Sequence, residues 1–581
     1  MRFGLFYEHQ LPRPWEDGAE QRLYDDALEQ IEIADRAGFD YVWQVEHHFM
    51  EEYSHSSAPE VFLAAASQRT TRIRLGHGIV NVMPQVNHPA RVAERIATLD
   101  LVSGGRVEFG TGESSSAAEL GGFLIRREQK RAMWEDAVAA ISHLLVEAPF
   151  AGWASDHVRM PPRNVVPKPV QKPHPPMWVA CSRRETIQFA ARNGIGALSF
   201  SFVEPEDAGK WVREYYDLIA SEECVPIGFA VNPNVCVVLP MMCHEDEATA
   251  IERGIDGAHY FGYSLAHYYG ITPHEPGSTN VWEEFLERRD DQGFARDLIQ
   301  ADKAPLGVKI MQHGLGSLRG AIGTPDQIAE LVRRYEAVGV DQIGFVLQAG
   351  RNRHEHICEA LELFGERVIP EFAAEREERE RVKAERLAPA IELALARRDP
   401  AREAPPDYRI DEPAEVERAR RRVSLPPRKL MAAARSQARR TVRRRGERTL
   451  ARLIRGRSDR QVELLIGNSL ARRALFTGMA LSFRPRMAFG FEGEIEYELT
   501  ESGNGRAADR WTIEVRNSRA RARRGPARDP AVSLSVGSAA LLRLAAGANP
   551  GAVLLDGRVR VEGDLNVAMR LPEMFGAPSP Y

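Results

Sequence analysis

Short apolar runs alternate with amphipathic helical segments over the first 370 residues. The runs are apolar almost throughout, as is typical of strands buried on both faces of a sheet. Eight are predicted: Arg2–Tyr7, Tyr41–Val45, Ile73–Val82, Arg106–Gly110, Met177–Ala180, Ala197–Phe202, Val231–Leu239 and Gln342–Leu347. Between them apolar residues recur at helical spacing, as in the segment Tyr24–Gly38, which ends on a glycine. This alternation predicts a parallel (β/α)8 barrel, that is, a TIM barrel.

A doubly wound open sheet is the main alternative to a barrel for this order of strands and helices. That fold binds its dinucleotide on a glycine-rich loop directly after the first strand. Residues 7–10 read Tyr-Glu-His-Gln and include no glycine. The first strand therefore favours the barrel.

An unusually long connection follows the seventh predicted strand, at about residues 250–323. Residues 260–269 within it carry five aromatic side chains and a histidine, which is too aromatic for an idle solvent-facing loop. In a TIM barrel the loops after the strands form the substrate-binding mouth. We expect this aromatic insertion to cover that mouth.

The pattern changes after residue 370. A charged helix over Glu371–Arg386 carries opposite charges at i,i+4 spacing, and prolines cluster between residues 400 and 413. From residue 458 a helix, a hairpin over Phe489–Leu499 and Arg510–Arg516, and further strands and helices are predicted. The chain is therefore divided into a barrel (1–370), a charged, basic helical linker (371–457) and a small α+β domain (458–581).

The composition is that of an ordinary globular protein. Hydrophobic residues make up 43% and charged residues 27% of the 581 residues, which excludes wholesale disorder and fibrous repeats. No apolar run approaches the roughly 18 residues of a membrane span, and the N-terminal run is broken by charge too early for a signal peptide. Five cysteines without a C-x-x-C pair predict neither disulfides nor a zinc site and suit the cytoplasm.

The net charge of −5 is an average over two unlike parts. Residues 418–460 contain 17 basic and two acidic residues, a net +15, so the rest of the chain carries −20. Nucleic-acid binding is disfavoured because this basic segment has no aromatic side chain on which a base could stack. Apolar residues at helical spacing from Leu430 to Val442 suit an anionic membrane surface. A solvated helix against the acidic barrel fits equally well, and both explanations stay open.

The first candidate chemistry follows the second strand, where residues 45–49 read Val-Glu-His-His-Phe. Catalytic groups of TIM barrels project from the C-terminal ends of strands, and successive side chains of an extended segment point in opposite directions. Only one of His47 and His48 can therefore face the cavity, and the other is expected to be a structural partner. A purely structural role for both is the alternative. The i,i+4 spacing of helical zinc ligands is absent, so no metal site is predicted.

Several motifs resemble those of the bacterial luciferase-like flavin monooxygenase family. They are Trp43 with Glu46–Phe49, the segment Leu75–Asn81, the pair His88-Pro89 and the segment Ala97–Gly112. The resemblance covers about residues 1–365 in the family's order. It implies a TIM barrel that uses reduced FMN, or in some branches a deazaflavin coenzyme, without a glycine-rich dinucleotide loop.

The resemblance also implies a site at the barrel mouth. His47 matches the histidine that luciferase chains need at the flavin–oxygen step, where it would act as a general base or as a proton donor. Gly78 and Ile79 match the place where the family often has a non-prolyl cis peptide behind the flavin ring, and Asn81 ends the same segment. The alternative for Gly78 is a glycine that only eases strand packing.

The helix start after the fifth strand matches the family's phosphate-binding segment and supplies Cys181, Ser182 and Thr186 as candidates. Plain N-capping by Ser182 is the alternative. Gly112 and Glu113 stand where the light-emitting luciferase chain has a cysteine and an arginine, so light emission is not implied. Glu113 is instead a candidate for contact with substrate or with the ribityl hydroxyls of the flavin.

Residues of about 460–575 resemble sterol-carrier-protein-like lipid-binding domains. The resemblance is carried by Phe491–Gly493, by Trp511–Ile513 and above all by Ala552–Leu565. That fold encloses an apolar tunnel between a sheet and helices, which implies binding of acyl chains or sterol-like molecules. An α+β core without a cavity is the alternative.

Together these features predict a flavin-dependent monooxygenase that acts on a small apolar or lipid-like substrate with reduced FMN from a separate flavin reductase. We expect a cytoplasmic homodimer formed through the barrel, with the basic segment as the part that would contact a membrane. A deazaflavin-dependent hydride-transfer enzyme is one alternative. A non-catalytic lipid-binding or membrane-tethered protein is the other.

Overall fold

The structure is a computed structural model of the chain. It describes residues 1–199, 205–269, 273–289, 307–309, 317–410, 461–462, 469–488, 490–500, 509–545 and 559–575. The chain forms two compact units, residues 1–403 and 404–581. The basic segment 418–460 lies outside the described residues. Within the described residues, no helix is long and apolar enough to cross a membrane.

Eight parallel strands form a closed barrel in the first unit, which confirms the predicted fold. The strands are β1 (Arg2–Tyr7), β2 (Tyr41–Gln44), β3 (Arg74–His77), β4 (Val107–Gly112), β5 (Met177–Cys181), β6 (Gly196–Ser199), β7 (Val235–Cys243) and β8 (Gln342–Val346). Each strand pairs with the next in the chain, and β8 pairs with β1 in the register Arg2↔Gln342 to Leu5↔Phe345, so the sheet has no open edge.

Helices surround the barrel in the order that the sequence pattern predicts. They are α1 (Ala19–Ala37), α2 (Pro59–Arg69), α3 (Pro89–Val102), α4 (Ala117–Gly122), α5 (Lys130–Val146), α6 (Arg184–Arg192), α7 (Pro205–Ile219), α8 (Glu247–Tyr269), α9 (Val281–Arg288), α10 (Pro325–Ala337), α11 (His354–Arg367), α12 (Ile369–Ala373) and α13 (Arg376–Ala396). The helices α8 and α9 belong to the long insertion after β7.

Most predicted strands agree with the observed bounds to within one or two residues, and the third and the seventh differ by more. The third predicted strand divides into β3 and a two-residue strand at Val80–Asn81. Pairing of β3 with β2 ends at Gln44 and His77, where the Gly78 amide still donates to the Gln44 carbonyl at 2.7 Å, and residues 80–81 pair with β4. The seventh begins at Val235 rather than Val231 and continues to Cys243. A further strand, Ser317–Gly323, pairs in parallel with the C-terminal part of β7, with Met241 opposite Ala321.

Tryptophans fill the interior of the barrel. Trp43 and Trp178 meet edge to face with their ring centroids 5.2 Å apart, and both are fully buried. Gly76 makes room for them, since a Cβ atom at that position would lie 2.3 Å from the Trp43 ring. The packed interior forms a solid floor, so a ligand can enter only at the loops after the strands.

The charged helix α13 packs on the N-terminal end of the barrel, away from those loops. Its Glu380 and Lys383 pair with Arg2 and Asp341, which precede or begin strands β1 and β8. Arg376 pairs with Asp40, directly before β2. The helix therefore belongs to the first compact unit, although the sequence pattern places it in the linker.

The second unit is a five-stranded sheet with helices on one face. The strands are β9 (Gly493–Thr500), β10 (Asp509–Arg516), β11 (Arg519–Arg524), β12 (Pro530–Gly537) and β13 (Val559–Gly563), in the spatial order β11-β10-β9-β12-β13. The helices are α14 (Ser469–Leu481), α15 (Pro485–Ala488), α16 (Ser538–Ala545) and α17 (Leu565–Met574). The hairpin of β9 and β10 is antiparallel, as predicted, whereas β9 and β12 are parallel.

Aromatic side chains hold helix α14 to this sheet. Phe476 stacks on Trp511 with the ring centroids 4.8 Å apart and contacts Tyr497 edge to face. Strand β11 was not predicted, because its sequence Arg-Ala-Arg-Ala-Arg-Arg is dominated by charge. Its alanines Ala520 and Ala522 nevertheless pack against the buried cluster, so the strand keeps the period-two pattern of a sheet edge.

Candidate active site

Polar side chains converge at the C-terminal ends of β1, β2 and β4. His47, three residues beyond β2, is held from two sides. Its Nδ1 lies 3.2 Å from Glu119 Oε1, and its Nε2 lies 3.5 Å from Glu8 Oε2. Only 12% of its side chain is exposed. The structure thus turns His47 into the barrel mouth, where the sequence places a candidate catalytic group.

The environment of His47 favours its protonated form. Burial lowers the pKa of the imidazole, but the charge and hydrogen bond of Glu119 and the charge of Glu8 outweigh burial and raise that pKa to about 9. Burial likewise raises the pKa of Glu119, but His47 and the hydroxyls of Ser114 and Ser116 bring it below its usual value. An imidazolium paired with a carboxylate is therefore the resting state of this pair at neutral pH.

Glu119 also fixes the loop that carries the histidine. Its Oε1 accepts from the backbone amide of His48 at 3.1 Å, and its Oε2 accepts from Ser114 Oγ and Ser116 Oγ at 2.7 and 2.9 Å. With the bond to His47, this buried carboxylate has four donors. Glu119 lies on α4, directly after a serine-rich loop. The stretch Glu113–Phe123 resembles members of the wider oxidoreductase family, but that resemblance assigned no role to Glu119.

The adjacent histidine points away from the mouth, as alternation along an extended segment predicts. His48 Nε2 lies 3.1 Å from Glu46 Oε1, and its ring packs on Phe123. Glu46 in turn accepts from the Asn81 backbone amide at 2.8 Å and from Asn87 Nδ2 at 2.7 Å. The second histidine and Glu46 therefore tie the β2 loop to the β3 loop.

The structure places Gly78, Ile79 and Asn81 beside this site. A Cβ atom at Gly78 would lie 2.7 Å from the Phe6 ring, so a side chain there would clash with the barrel wall. The cis peptide that the resemblance implies is not present, because all cis bonds of the described residues precede proline and the Gly78–Ile79 bond is trans. The Asn81 side chain is buried and accepts from the Met83 amide at 3.3 Å.

The aromatic insertion reaches the histidine. Tyr269, the last residue of α8, places its hydroxyl 3.5 Å from His47 Nε2, and Phe261 stacks on Tyr53 with the ring centroids 6.2 Å apart. The expectation that this tract covers the mouth is thereby confirmed for the described part of the insertion.

One buried carboxylate attaches the insertion to the barrel. Glu52 is fully buried and accepts from the amides of Val281 at 2.6 Å and Trp282 at 3.2 Å, the first two residues of α9. It also accepts from the Arg13 amide at 2.9 Å. A carboxylate at this position satisfies amides that a helix start leaves unpaired and interacts favourably with the helix dipole.

A second polar cluster lies where β4 and β5 end. Glu113 Oε1 is 3.0 Å from Arg131 and 3.5 Å from Lys130. Burial raises the pKa of Glu113, but Lys130, Arg131 and Arg183 together bring it below its usual value. Burial is also the main reason that the pKa of Lys130 falls to about 8. The cluster of three cations around one carboxylate has an excess of positive charge.

The start of helix α6 borders this cluster. Its N-cap residue is Arg183, and no side chain caps the helix, so the alternative of N-capping by Ser182 is not observed. Ser182 is exposed, whereas Cys181 and Thr186 are buried. Burial raises the pKa of the Cys181 thiol to about 12, so this cysteine contributes packing and no charge.

The two clusters are connected through Ser114. Its hydroxyl donates to Glu119, and its carbonyl accepts from Lys130 Nζ at 3.2 Å. Ser114 thus links the carboxylate that holds His47 to the cationic cluster at the ends of β4 and β5.

Comparison with known proteins agrees with this geometry. Residues 1–342 match the model of the luciferase-like monooxygenase family, and residues 485–576 match that of the SCP-2 sterol transfer family. The uncharacterized protein y4wF of Sinorhizobium fredii is 36% identical over 212 residues, which are 36% of this chain and 58% of that protein.

Two further relatives match the barrel over nearly their whole length. The oxygenase component of the flavin-dependent trigonelline monooxygenase of Acinetobacter baylyi is 24% identical over 390 residues, which are 65% of this chain and 98% of that protein. The crystal structure of the monooxygenase RslO1 from Streptomyces bottropensis, 25% identical, aligns with a TM-score of 0.51 over 64% of this chain and 100% of that one.

Proposed function

Because this chain belongs to the luciferase-like monooxygenase family and ends in an SCP-2 sterol transfer domain, we propose that it oxidises an apolar, lipid-like substrate with reduced FMN and O2. The observation that carries this proposal is the geometry of His47, whose two ring nitrogens lie against the buried carboxyl groups of Glu8 and Glu119, with Glu119 linked through Ser114 to the cationic cluster at Glu113.

The residues present fit FMN. A helix start without a side-chain cap, next to Lys130, Arg131 and Arg183, supplies amides and positive charge for a phosphate. The ribityl chain would pass Glu113 and Ser114 toward His47, and Gly78 and Ile79 would line the ring. When bound, reduced FMN supplies the electrons that activate O2.

The contacts of His47 favour one of its two expected roles. Its Nδ1 is engaged by Glu119, so Nε2, which lies 3.5 Å from Glu8 Oε2, is the ring nitrogen that remains for proton exchange. With a pKa near 9 this nitrogen bears a proton at neutral pH. His47 is therefore better suited to donate a proton to a developing anion than to act as a general base.

The insertion contributes by excluding water. Tyr269 and Tyr53 enclose the Nε2 side of His47, and burial raises the pKa of both phenols, so they remain neutral. Removal of water strengthens electrostatic interactions within such a site and protects a reactive reduced cofactor from side reactions.

We further propose that reduced FMN comes from a separate flavin reductase. The trigonelline monooxygenase relative is an oxygenase component, which is one part of a multi-component system.

An anaerobic titration followed by admission of O2 tests the cofactor and the chemistry. Reduced FMN should bind more tightly than reduced riboflavin by about 10-fold or more, because only FMN brings a phosphate to the cationic cluster. Arg183→Gln should remove most of that difference and leave riboflavin binding unchanged. On admission of O2, the bound FMN should be reoxidised more slowly in the full chain than free in buffer.

The same titration separates the alternatives. Preference for the reduced deazaflavin coenzyme, which does not react readily with O2, would assign hydride transfer to the barrel instead. Absence of binding by all three compounds would leave a lipid-binding protein without flavin chemistry.

For the C-terminal domain we propose that it holds the apolar substrate. Residues 485–576 match a sterol transfer family, and α14, α17 and the sheet surround an apolar core that includes Phe476, Leu541 and Phe575. A fluorescent acyl chain should show enhanced emission with the full chain and none with a chain ending at residue 403. Equal emission from both forms would contradict the assignment.

A further inference from the structure

Glu8 is the second carboxylate at His47, and its surroundings differ from those of Glu119. Its side chain follows β1 and is 2% exposed. Its Oε1 accepts from Tyr53 OH at 2.9 Å, while its buried Oε2 has no hydrogen-bond partner and lies 3.5 Å from His47 Nε2. One oxygen of a buried carboxyl group is therefore held in place, and the other is directed at the proton-bearing nitrogen.

The two carboxyl groups contact different nitrogens of the imidazole. Glu119 lies on the Nδ1 side and has four donors, so it is satisfied as an anion. Glu8 lies on the Nε2 side with a single donor, so its charge is poorly compensated unless His47 is protonated. Burial raises the pKa of Glu8 to about 7, against the lowering effects of His47 and Tyr53. Glu8 thus changes its charge near neutral pH, whereas Glu119 remains an anion.

The two phenols that face the pair do not titrate near neutrality. Tyr53 and Tyr269 flank His47, and burial raises the pKa of each well above its usual value. Glu46 contributes its charge through space, but its own oxygens are occupied by Asn81, Asn87 and His48. Glu8 is therefore the group that can exchange a proton with His47.

We propose that Glu8 is a positioning residue that keeps Nε2 of His47 protonated during turnover. This inference rests on the proposed function, in which His47 Nε2 gives its proton to an anion formed in the barrel mouth. The N–H bond of Nε2 breaks in that step, and a new N–H bond forms when the Glu8 carboxyl group transfers its own proton to Nε2. Water restores the proton of Glu8 between turnovers, so each cycle takes up one proton from solvent.

Glu8→Gln tests the proposal without any cofactor. The glutamine keeps an oxygen that accepts from Tyr53 OH but has no charge and no acidic proton. The pKa of His47 would be measured in the cofactor-free full chain by NMR of isotope-labelled imidazoles, and its signal would be assigned by its loss in His47→Gln. Glu8→Gln should lower the measured pKa of His47 by about 1, since one of the carboxylates that raise this pKa is removed. Glu8→Asp, which keeps the carboxylate, should restore much of the original value.

Glu108→Gln is the matched control. Glu108 is also a buried carboxyl group of the barrel whose pKa is raised by burial, but its partners are Arg74 and Trp178 rather than His47. This variant should leave the His47 titration unchanged. If Glu8→Gln also leaves it unchanged in a folded protein, the proposed role of Glu8 is wrong.

The pH profile of turnover gives a second readout that a merely structural role would not move. Below about pH 7 Glu8 carries the proton that it transfers to Nε2, which glutamine cannot supply, so Glu8→Gln should turn over more slowly than the wild type by a constant factor there. Above that pH the variant should lose activity earlier, by the same interval as the fall in the pKa of His47. A uniform loss at every pH would indicate damage to packing and contradict the proposal. Failure of FMN to bind would refute the proposed function while the NMR result still decides the coupling of Glu8 to His47.

Discussion

His47→Ala lowers oxygen-dependent substrate turnover by about 10²–10⁴-fold and leaves FMN affinity almost unchanged, if the histidine is the proton donor of the site. The magnitude is that of a lost general acid. Binding survives because the cationic cluster at Lys130, Arg131 and Arg183 is built by other elements and does not contact the imidazole. Steady-state kinetics and an anaerobic FMN titration of the same preparation measure both quantities.

His48→Ala is the matched control for this experiment. The neighbouring histidine has the same chemistry and follows in the chain, but its Nε2 bonds to Glu46 and its ring packs on Phe123. Its removal should cost a small part of the activity and mainly affect stability. Equal losses in the two variants, or unchanged turnover in His47→Ala, would contradict the role assigned to His47.

Glu52→Ala should destabilise the first unit by about 3–5 kcal/mol, the cost expected when a buried charge is removed from its partners. The change leaves the buried amides of Val281 and Trp282 and the partly buried amide of Arg13 without an acceptor. Urea unfolding followed by a signal of the barrel measures the loss. Hydrogen exchange should accelerate most at Val281 and Trp282, because their amides begin α9 and lose the carboxylate directly.

Glu51→Gln provides the comparison for Glu52. Glu51 is the adjacent carboxylate and also contacts the insertion, through the Gly277 amide and His274, but 18% of its side chain is exposed. Water can hydrogen-bond to the Gly277 amide and to His274 when the Glu51 carboxylate is removed. The expected destabilisation is therefore about 1 kcal/mol. If the two variants unfold at the same urea concentration, the burial of Glu52 has no special importance for the insertion.

Most of the barrel could be predicted from sequence because its strands are buried on both faces. Such strands are continuous apolar runs, and the helices between them carry a clear 3.6-residue period. The prediction missed the break of the third strand at residues 78–79, after which residues 80–81 pair with β4. The prediction also missed β11, because its four arginines dominate the sequence and obscure the alternating pattern of Ala520 and Ala522, which face the core.

The homodimer, the separate reductase and the membrane contact of residues 418–460 stay predictions. The first two concern surfaces that would contact another protein, and the third concerns a segment outside the described residues. The overall charge separation of the chain is likewise a property of the sequence alone.

The sequence by itself determined the barrel, the α+β domain and the position of His47, because periodicity and short motifs are local along the chain. Only the tertiary structure decided which groups act on that histidine. Glu8 and Glu119 are separated by more than a hundred residues and belong to no motif, yet they meet at His47 because parallel strands end at the same side of a barrel. The charge of a buried imidazole depends on such neighbours in space, and no pattern along the chain contains that information.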